Sequence, residues 1–516
     1  MQINDIEKDS LFGVIGVCGV NGNLIARILE DHNFKVQATD MVSKKDCRFG
    51  SSLNDYSMDI YYGEMPDNFI QTSDYIVMPT QLIESKSKLF QEVQKRGVPI
   101  LSVEDILDLF EPARPVVCIC GTNGKTTTTT LLKHLAYSAG LKPCEHNLEN
   151  MQGNLADIPP LQSRLKGDLS ILETGTFGYP GSLNKLLTAC KADVALITNI
   201  TEDHLDNSTD FLGYVNVKGE IVESLRDKTL VVNNDDPTVM ALLKKLDYQG
   251  NLITFGIETE SFRQSEKQCP CGRNVIVDEF IAGVGKYECG CGLKYSKPDY
   301  LATEINDAHN RFTLKNDDEE HEFTLKINGL HNIYNAVGAI VLAKEVLNIS
   351  LDDINKYLLD FEGVDGRMNR IGKIGSKQVM IDYAHNPAGM TTVLKELKNS
   401  YDVIVNVITT SSESGIEGDN EILKCSADYS DYIVPASYNA FVCAKKALSE
   451  GLYADKIVLP EHMPDEKKHG TLGATVEQVL SGFLKSFELD SDLIVCTGEA
   501  AFKYKNILIE RLNEIM

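Results

Sequence analysis

The chain has no surplus of positive charge, no long apolar run and no repeated or low-complexity tract. Each absence excludes a class of function. Against 75 Asp and Glu stand 50 Lys and Arg, a formal charge of −25 with an isoelectric point near 4.8. Such a surface repels nucleic acid and anionic membranes at long range, so neither is expected as a partner. An anionic ligand has to be captured locally, by backbone N–H nests, metals and a few basic side chains. The acidity is equally accounted for as a solvation habit of the source. No stretch of about 18 apolar residues occurs, which argues against a transmembrane span. The opening MQINDIEKDS lacks the basic and apolar regions of a signal peptide. Thirteen scattered cysteines point to a reducing cytoplasm rather than a disulfide framework.

A hydrophobic content of 43% supports real cores. At roughly 150 residues per domain the chain predicts about three domains, divided here as 1–111, 112–363 and 364–516. In the first, LFGVIGVCGVNGNLIARILE reads as strand, Gly-rich turn and helix. FKVQATD reads as a second strand ending in Asp40, and DYIVMPT and VPIL supply more, a parallel α/β unit. Gly13, Gly16, Gly19 and Gly22 fall every third residue, and Asp40 lies eighteen residues past Gly22. The pattern is close to a dinucleotide fingerprint without being G-x-G-x-x-G; it reads either as a nucleotide-binding turn or as a plain tight turn. EPARP (111–115) reads as a linker. ADVALITNI, TLVVNND and NLITFG follow as buried strands; VMIDYAHNP, VIVNVITT, DYIVPAS, KIVLP and DLIVCTGE end strands of the third domain. NDDEEHE (316–322) reads as a solvated hairpin turn.

VVCICGTNGKTTTTT (116–130) is the most informative segment. An apolar strand runs into Gly121-Thr122-Asn123-Gly124-Lys125-Thr126 and then a helix-compatible stretch. That layout offers N–H groups, a helix N-terminus and a Lys ammonium to phosphates, with the Thr126 hydroxyl toward Mg²⁺. Ile119 stands where the usual phosphate loop has Gly, so this is a variant loop. Polar groups recur at later strand ends: Glu173 in ILETG; Asn199, Asp203, His204 and Asp206 in LITNITEDHLD; Asn233 to Asp236 in VVNNDDP. Lys218 follows His204 by fourteen residues. Singly, such carboxylates are helix caps more often than ligands. Beside a phosphate loop they read as a metal–nucleotide site, with Glu173 and His204 holding a second Mg²⁺.

Cys269/Cys271 and Cys289/Cys291 form two C-x-C-G pairs seventeen residues apart. Four thiolates on two knuckles match a tetrahedral structural Zn²⁺ in an insert at about 266–296. Two disulfides or free buried thiols are the other readings.

In order along nearly the whole chain, GTNGKTTT, ETG, TNITEDHLD, the Lys of VKGEI, NNDDP, TFG, GLHNIYNA, GVDGRMNR and DYAHNP resemble the Mur ligase family, ATP-dependent amide-forming ligases of cell-wall peptide assembly. The resemblance implies an α/β chain of three domains. The first is Rossmann-like and binds a UDP-linked amino acid or peptide. The second is a P-loop ATPase-type parallel sheet, and the third is Rossmann-like and brings the free amino acid. It implies that Gly121, Thr122, Asn123, Gly124, Lys125, Thr126 and Thr127 bind ATP. It further implies that Thr126, Glu173 and His204 bind Mg²⁺ and that Lys218 matches a lysine carbamylated in many members, whose carbamate helps hold the second Mg²⁺. Asn335 would meet adenine, while Arg367, Asp382 and His385 would close on ATP. Gly16, Gly19, Asn21 and Gly22 would cradle a UDP pyrophosphate, with Asp40 toward the uridine or ribose. A monomer is expected.

With its cysteine insert the chain is most similar to archaeal pseudomurein peptide ligases. The D-N-P-R segment of diaminopimelate-adding members is absent; TTSSESGIEGDNE (409–421) stands in that region, leaving the added amino acid open. Three other readings are an amidating subunit paired with a glutaminase, a folylpolyglutamate- or cyanophycin-type ligase, and a non-catalytic ATP-binding protein that docks a partner through its ribbon.

Overall fold

The computed structural model describes residues 3, 6–148, 157–176, 178–201, 210–306, 310–409, 415–461, 463 and 474–516. Among these, four sheets form. Strands β1 (Leu11–Ile15), β2 (Lys35–Asp40), β3 (Asp59–Tyr62), β4 (Tyr75–Val77) and β5 (Ile100–Leu101) lie in the order β3-β2-β1-β4-β5. All run parallel. The chain leaves β1 toward β2 on one side and returns to β4 on the other. The Gly-rich turn after β1 therefore sits at the switch point, where a doubly wound sheet opens to ligand.

Strands β6 (Val116–Cys120), β7 (Ser170–Glu173), β8 (Val194–Ile197), β9 (Thr229–Asn233) and β10 (Asn251–Ile257) come next. An insert follows, of β11 (Arg263–Gln268), β12 (Asn274–Ile281), β13 (Val284–Cys289) and β14 (Leu293–Lys294), all antiparallel. Strands β15 (Tyr300–Asn306), β16 (Arg311–Lys315) and β17 (Glu320–Thr324) complete the central sheet, β17-β16-β15-β10-β9-β8-β6-β7. It is parallel from β7 to β15 and antiparallel beyond. The acidic run 316–322 turns between β16 and β17, as expected. VVCIC in β6 is buried at every position, the pattern of a strand covered on both faces. Helices Lys125–Ser138 and Leu330–Glu345 pack on one another over this sheet.

The third sheet holds β18 (Asn369–Ile374), β19 (Lys377–Asp382), β20 (Ile404–Ile408), β21 (Tyr432–Pro435) and β22 (Leu493–Thr497), ordered β18-β19-β22-β20-β21. Only β18 is antiparallel to its neighbour. KIVLP (456–460), expected to end a strand, contributes one isolated bridge, Ile457 to Ile433. Another departure is that Cys144, Leu148, Ile158, Leu161 and Leu165, beyond the phosphate-loop helix, join the core of the first sheet. Among the described residues, no helix is long and apolar enough to cross a membrane.

Candidate active site

The phosphate loop follows β6 with Gly121 at φ +130° and Gly124 at φ +85°, the left-handed region where a side chain is strained. Space excludes one as well. A Cβ on Gly121 would stand 2.0 Å from Thr198 Oγ1, and one on Gly124 would stand 2.2 Å from Asn335 Oδ1. The loop is held from the end of β8: Asn199 Oδ1 accepts from Asn123 N at 3.0 Å, and Thr198 Oγ1 donates to Asn123 O at 2.7 Å. Thr122 N donates to Asn199 O at 2.8 Å. The helix Lys125–Ser138 then begins, aiming its N-terminal N–H groups into the loop.

Lys125 Nζ donates back to Thr122 O at 2.7 Å, curled over the loop. Thr126 Oγ1 donates to Glu173 Oε1 at 3.2 Å, because β6 and β7 are neighbours and both residues stand at their carboxyl ends. A hydroxyl and a carboxylate brought together beside a phosphate cradle are the oxygen donors Mg²⁺ takes. Lys218 is buried below the loop and donates to Gly121 O at 2.9 Å. Its ammonium lies 5.1 Å from the Tyr214 ring centre. Thr127 is buried on the same helix, and Asn335 Oδ1 accepts from Thr128 Oγ1 at 3.4 Å. His204, Asp203 and Asp206 lie outside the described residues.

A cavity of about 1110 Å³ lies between the central and third sheets. Residues 122–128, Glu173, Asn335, Arg367, Asp382 and His385 all line it. Asn386 Nδ2, from the third sheet's side, donates to Asn123 Oδ1 at 3.1 Å, and its own Oδ1 caps the helix Pro387–Lys398 through Gly389 N. Asp382 is buried, with its oxygens accepting from Met368 N at 2.8 Å and Ala384 N at 2.7 Å. Burial pushes its carboxyl pKa up. It pins the chain between Arg367 and His385. The Arg367 guanidinium stacks over Tyr383 at 4.6 Å, and His385 Nδ1–H donates to Tyr383 O at 3.1 Å.

At the first sheet, Gly16 has φ +85°, and a Cβ on Gly22 would meet Gly16 O at 2.2 Å, so helix Val20–Asp31 presses directly on the turn. Gly19 is its N-cap. Asp40 accepts from Cys18 N at 2.9 Å and Val42 N at 3.0 Å, bracing the loop. Asn21 Nδ2 donates to Asp157 Oδ2 at 2.7 Å. No disulfide framework was expected, and the described residues hold one bridge: Cys18 and Cys47 are disulfide-bonded, with Cα atoms 5.1 Å apart, and the other eleven cysteines are free. The short helix Lys44–Asp46 folds Cys47 back onto the Gly-rich turn, a proximity the 29-residue separation conceals.

Within the insert the four cysteine sulfurs lie within 4.8 Å of one another, Cys271 to Cys289 being 3.7 Å. None of the four is in a disulfide. Thiolates ~2.3 Å from a tetrahedral Zn²⁺ stand ~3.8 Å apart, so the donor set fits zinc.

The model of the Mur ligase middle domain matches residues 119–343. A pseudomurein peptide ligase type C from Methanothermus fervidus is 34% identical, superposes with a TM-score of 0.84, and is matched over 98% of this chain and 100% of its own. The chain belongs to the Mur ligase family. A curated relative, the UDP-N-acetylmuramate–L-alanine ligase of Aquifex aeolicus, is 27% identical over 77% of this chain and 76% of its own length. The corresponding Thermotoga maritima enzyme shares the fold at 16% identity and a TM-score of 0.58, over 98% of this chain and 100% of that one. Mur ligases use ATP and Mg²⁺, and the glycine cradle with the Thr126–Glu173 pair fits both.

Sequence reasoning missed two features of this Mur ligase site. Asp236, which the sequence leaves open between helix cap and ligand, is a cap: it accepts from Thr238 N at 2.8 Å and Ile200 N at 2.6 Å. Its neighbour Asp235 is buried against Tyr334 Oη (2.9 Å) and Ile257 N (2.8 Å), and desolvation raises its pKa to about 7. The other is the turn of the cysteine insert, Ile281 to Val284, which lines the cavity. Nothing local in the sequence signals that placement.

Proposed function

We propose that this Mur ligase uses ATP to join an amino acid to the carboxylate of a UDP-linked amino acid or peptide of cell-wall assembly. Residues 1–111 would hold the UDP end, 112–363 the ATP and 364–516 the incoming amino acid. The carrying observation is the bond from Asn386 to Asn123, which joins the third sheet's side to the phosphate loop; a γ-phosphate on that loop would meet its acceptor beneath it.

In the first step the acceptor carboxylate oxygen attacks the γ-phosphorus and the bond to the β-bridging oxygen breaks, leaving ADP and an acyl phosphate. The amine then attacks the acyl carbon, loses a proton, and phosphate departs. Lys125 and the loop N–H groups neutralise charge on the transferring phosphoryl group. Thr126, Glu173 and His204 would hold Mg²⁺. The hinge held by Asp382 keeps Arg367 and His385 over the cavity, excluding the water that would hydrolyse the acyl phosphate. Gly16, Gly19, Asn21 and Gly22 would receive the pyrophosphate.

A matrix of UDP-linked acceptors against amino acids tests this reading, with phosphate release and product mass as readouts. One pair is expected to release phosphate and gain the mass of the amino acid less water. Release without any added amino acid, or gain of an amide from ammonia alone, would move the reading to the hydrolytic or amidating alternatives. For the ribbon, elemental analysis should find about one zinc per chain, as a closed Cys₄ site requires. Changing Cys269 and Cys289 to Ser should abolish it.

A further inference from the structure

The insert leaves β10 at its carboxyl end, the edge on which the phosphate loop lies, and returns into β15. Its two ends differ. The cysteine knuckles sit at one, between β11 and β12 and between β13 and β14; the hairpin turn between β12 and β13 sits at the other. The eight residues of β12 separate the two ends by about 24 Å at the usual strand rise. The turn is a two-residue one, Ala282 at φ +41° and Gly283 at φ +76°, the left-handed pair that matches hairpin twist. A bulge between Glu279 and Ile281 bends the strand just before it.

That turn is docked rather than free. Gly285 N donates to Asp235 O at 2.9 Å, and Tyr287 Oη donates to Asn234 O at 3.1 Å. Lys267 Nζ donates to Ile200 O at 2.8 Å and pairs with Asp236 at 3.3 Å. Anchored in this way, Ile281 and Val284 line the cavity together with Leu196 and Phe255. Sheet order locates this wall. Phe255 on β10 lies three strand spacings from β6, about 14 Å at ~4.8 Å each. On the other side of β6, among the described residues, the sheet continues with β7 alone, whose end carries the polar Glu173. Tyr179 and Leu186 line the cavity past β7, but Leu196, Phe255, Ile281 and Val284 gather on the β8-to-β10 side, and a base joined to phosphates on the loop can reach that apolar face.

Resting on the ATP reading above, we propose that the hairpin turn of the cysteine insert is the base-facing wall of the nucleotide site, and that a metal on the four cysteines holds this wall in place. The insert thereby belongs to the nucleotide site and is more than a remote stabilising clip.

Calorimetric binding of MgADP and of inorganic tripolyphosphate to the full-length, metal-loaded protein tests it. Ile281→Asp should weaken MgADP about tenfold or more, the scale on which apolar pockets discriminate, and leave tripolyphosphate unchanged. Metal removal by a chelator should do the same to the wild type, with zinc restoring affinity; this arm and the milder Ile281→Ala stand in if the aspartate variant does not fold. MgADP affinity indifferent to both changes, while Lys125→Ala still abolishes tripolyphosphate binding, overturns the proposal and spares the ATP reading. Binding of neither probe, or binding unaffected by Lys125→Ala, overturns both.

Discussion

Lys125→Ala is expected to lower ATP turnover by about a thousandfold or more, the scale of losing a charge aimed at a transferring phosphoryl group. The fold should survive. The described bond of Lys125, to Thr122 O, is one hydrogen bond in a half-buried place, and its loss costs about 1 kcal/mol. Gly121, Gly124 and the contacts from Thr198 and Asn199 remain to shape the loop. The expected pattern is therefore near-normal thermal unfolding with turnover at background. Phosphate release and a melting curve on the same preparation decide it. Normal turnover would remove the phosphate assignment, because Lys125 is the full positive charge which that assignment puts on the transferring group.

The phosphate loop was legible in the sequence for a physical reason. Its residues are contiguous, and its two glycines stand where the backbone must turn left-handed and a Cβ would collide with Thr198 or Asn335. Glu173 and Asn199 were legible too, since apolar strands announce their own ends and a parallel sheet gathers those ends along one edge. What depends on distant packing was not. Asp40 and Asp382 were read as facing ligand, and each also accepts two backbone N–H bonds that brace the chain around it, contacts that no local pattern announces. The pairing of Cys18 with Cys47, and the docking of Cys144, Leu148, Ile158, Leu161 and Leu165 on the first sheet, join segments whose local patterns are silent about one another. The four cysteines of the insert were visible as one cluster by their spacing. That the insert's far end reaches the cavity follows only from where β10 lets the chain out.

Lys218→Ala is the second large effect expected, a loss of about a hundredfold or more in ligation, on the scale of removing one preorganised charge from a phosphoryl-transfer site. Two roles for the side chain give opposite rescue patterns. As a carbamate, Lys218 would present an anion to a divalent ion, and the variant would lack both amine and anion. Bicarbonate then cannot restore activity, for there is no nitrogen to carry it, whereas a short-chain carboxylic acid diffusing into the space supplies the missing oxygen donors. As an ammonium, Lys218 would support Gly121 O, which it reaches at 2.9 Å beneath the loop, with Tyr214 alongside and Tyr214 Oη joined to Thr122 Oγ1 at 3.1 Å. A small primary amine, not an acid, would then restore activity. We expect acid rescue: the loop already has Asn199 and Thr198 to hold it, so a buried lysine is a costly prop, while an anion carried on Lys218 would add charge for a second cation. Turnover measured across acetate, bicarbonate and methylamine series separates the two, and recovery in methylamine alone would assign Lys218 to the loop and leave the metal to other ligands.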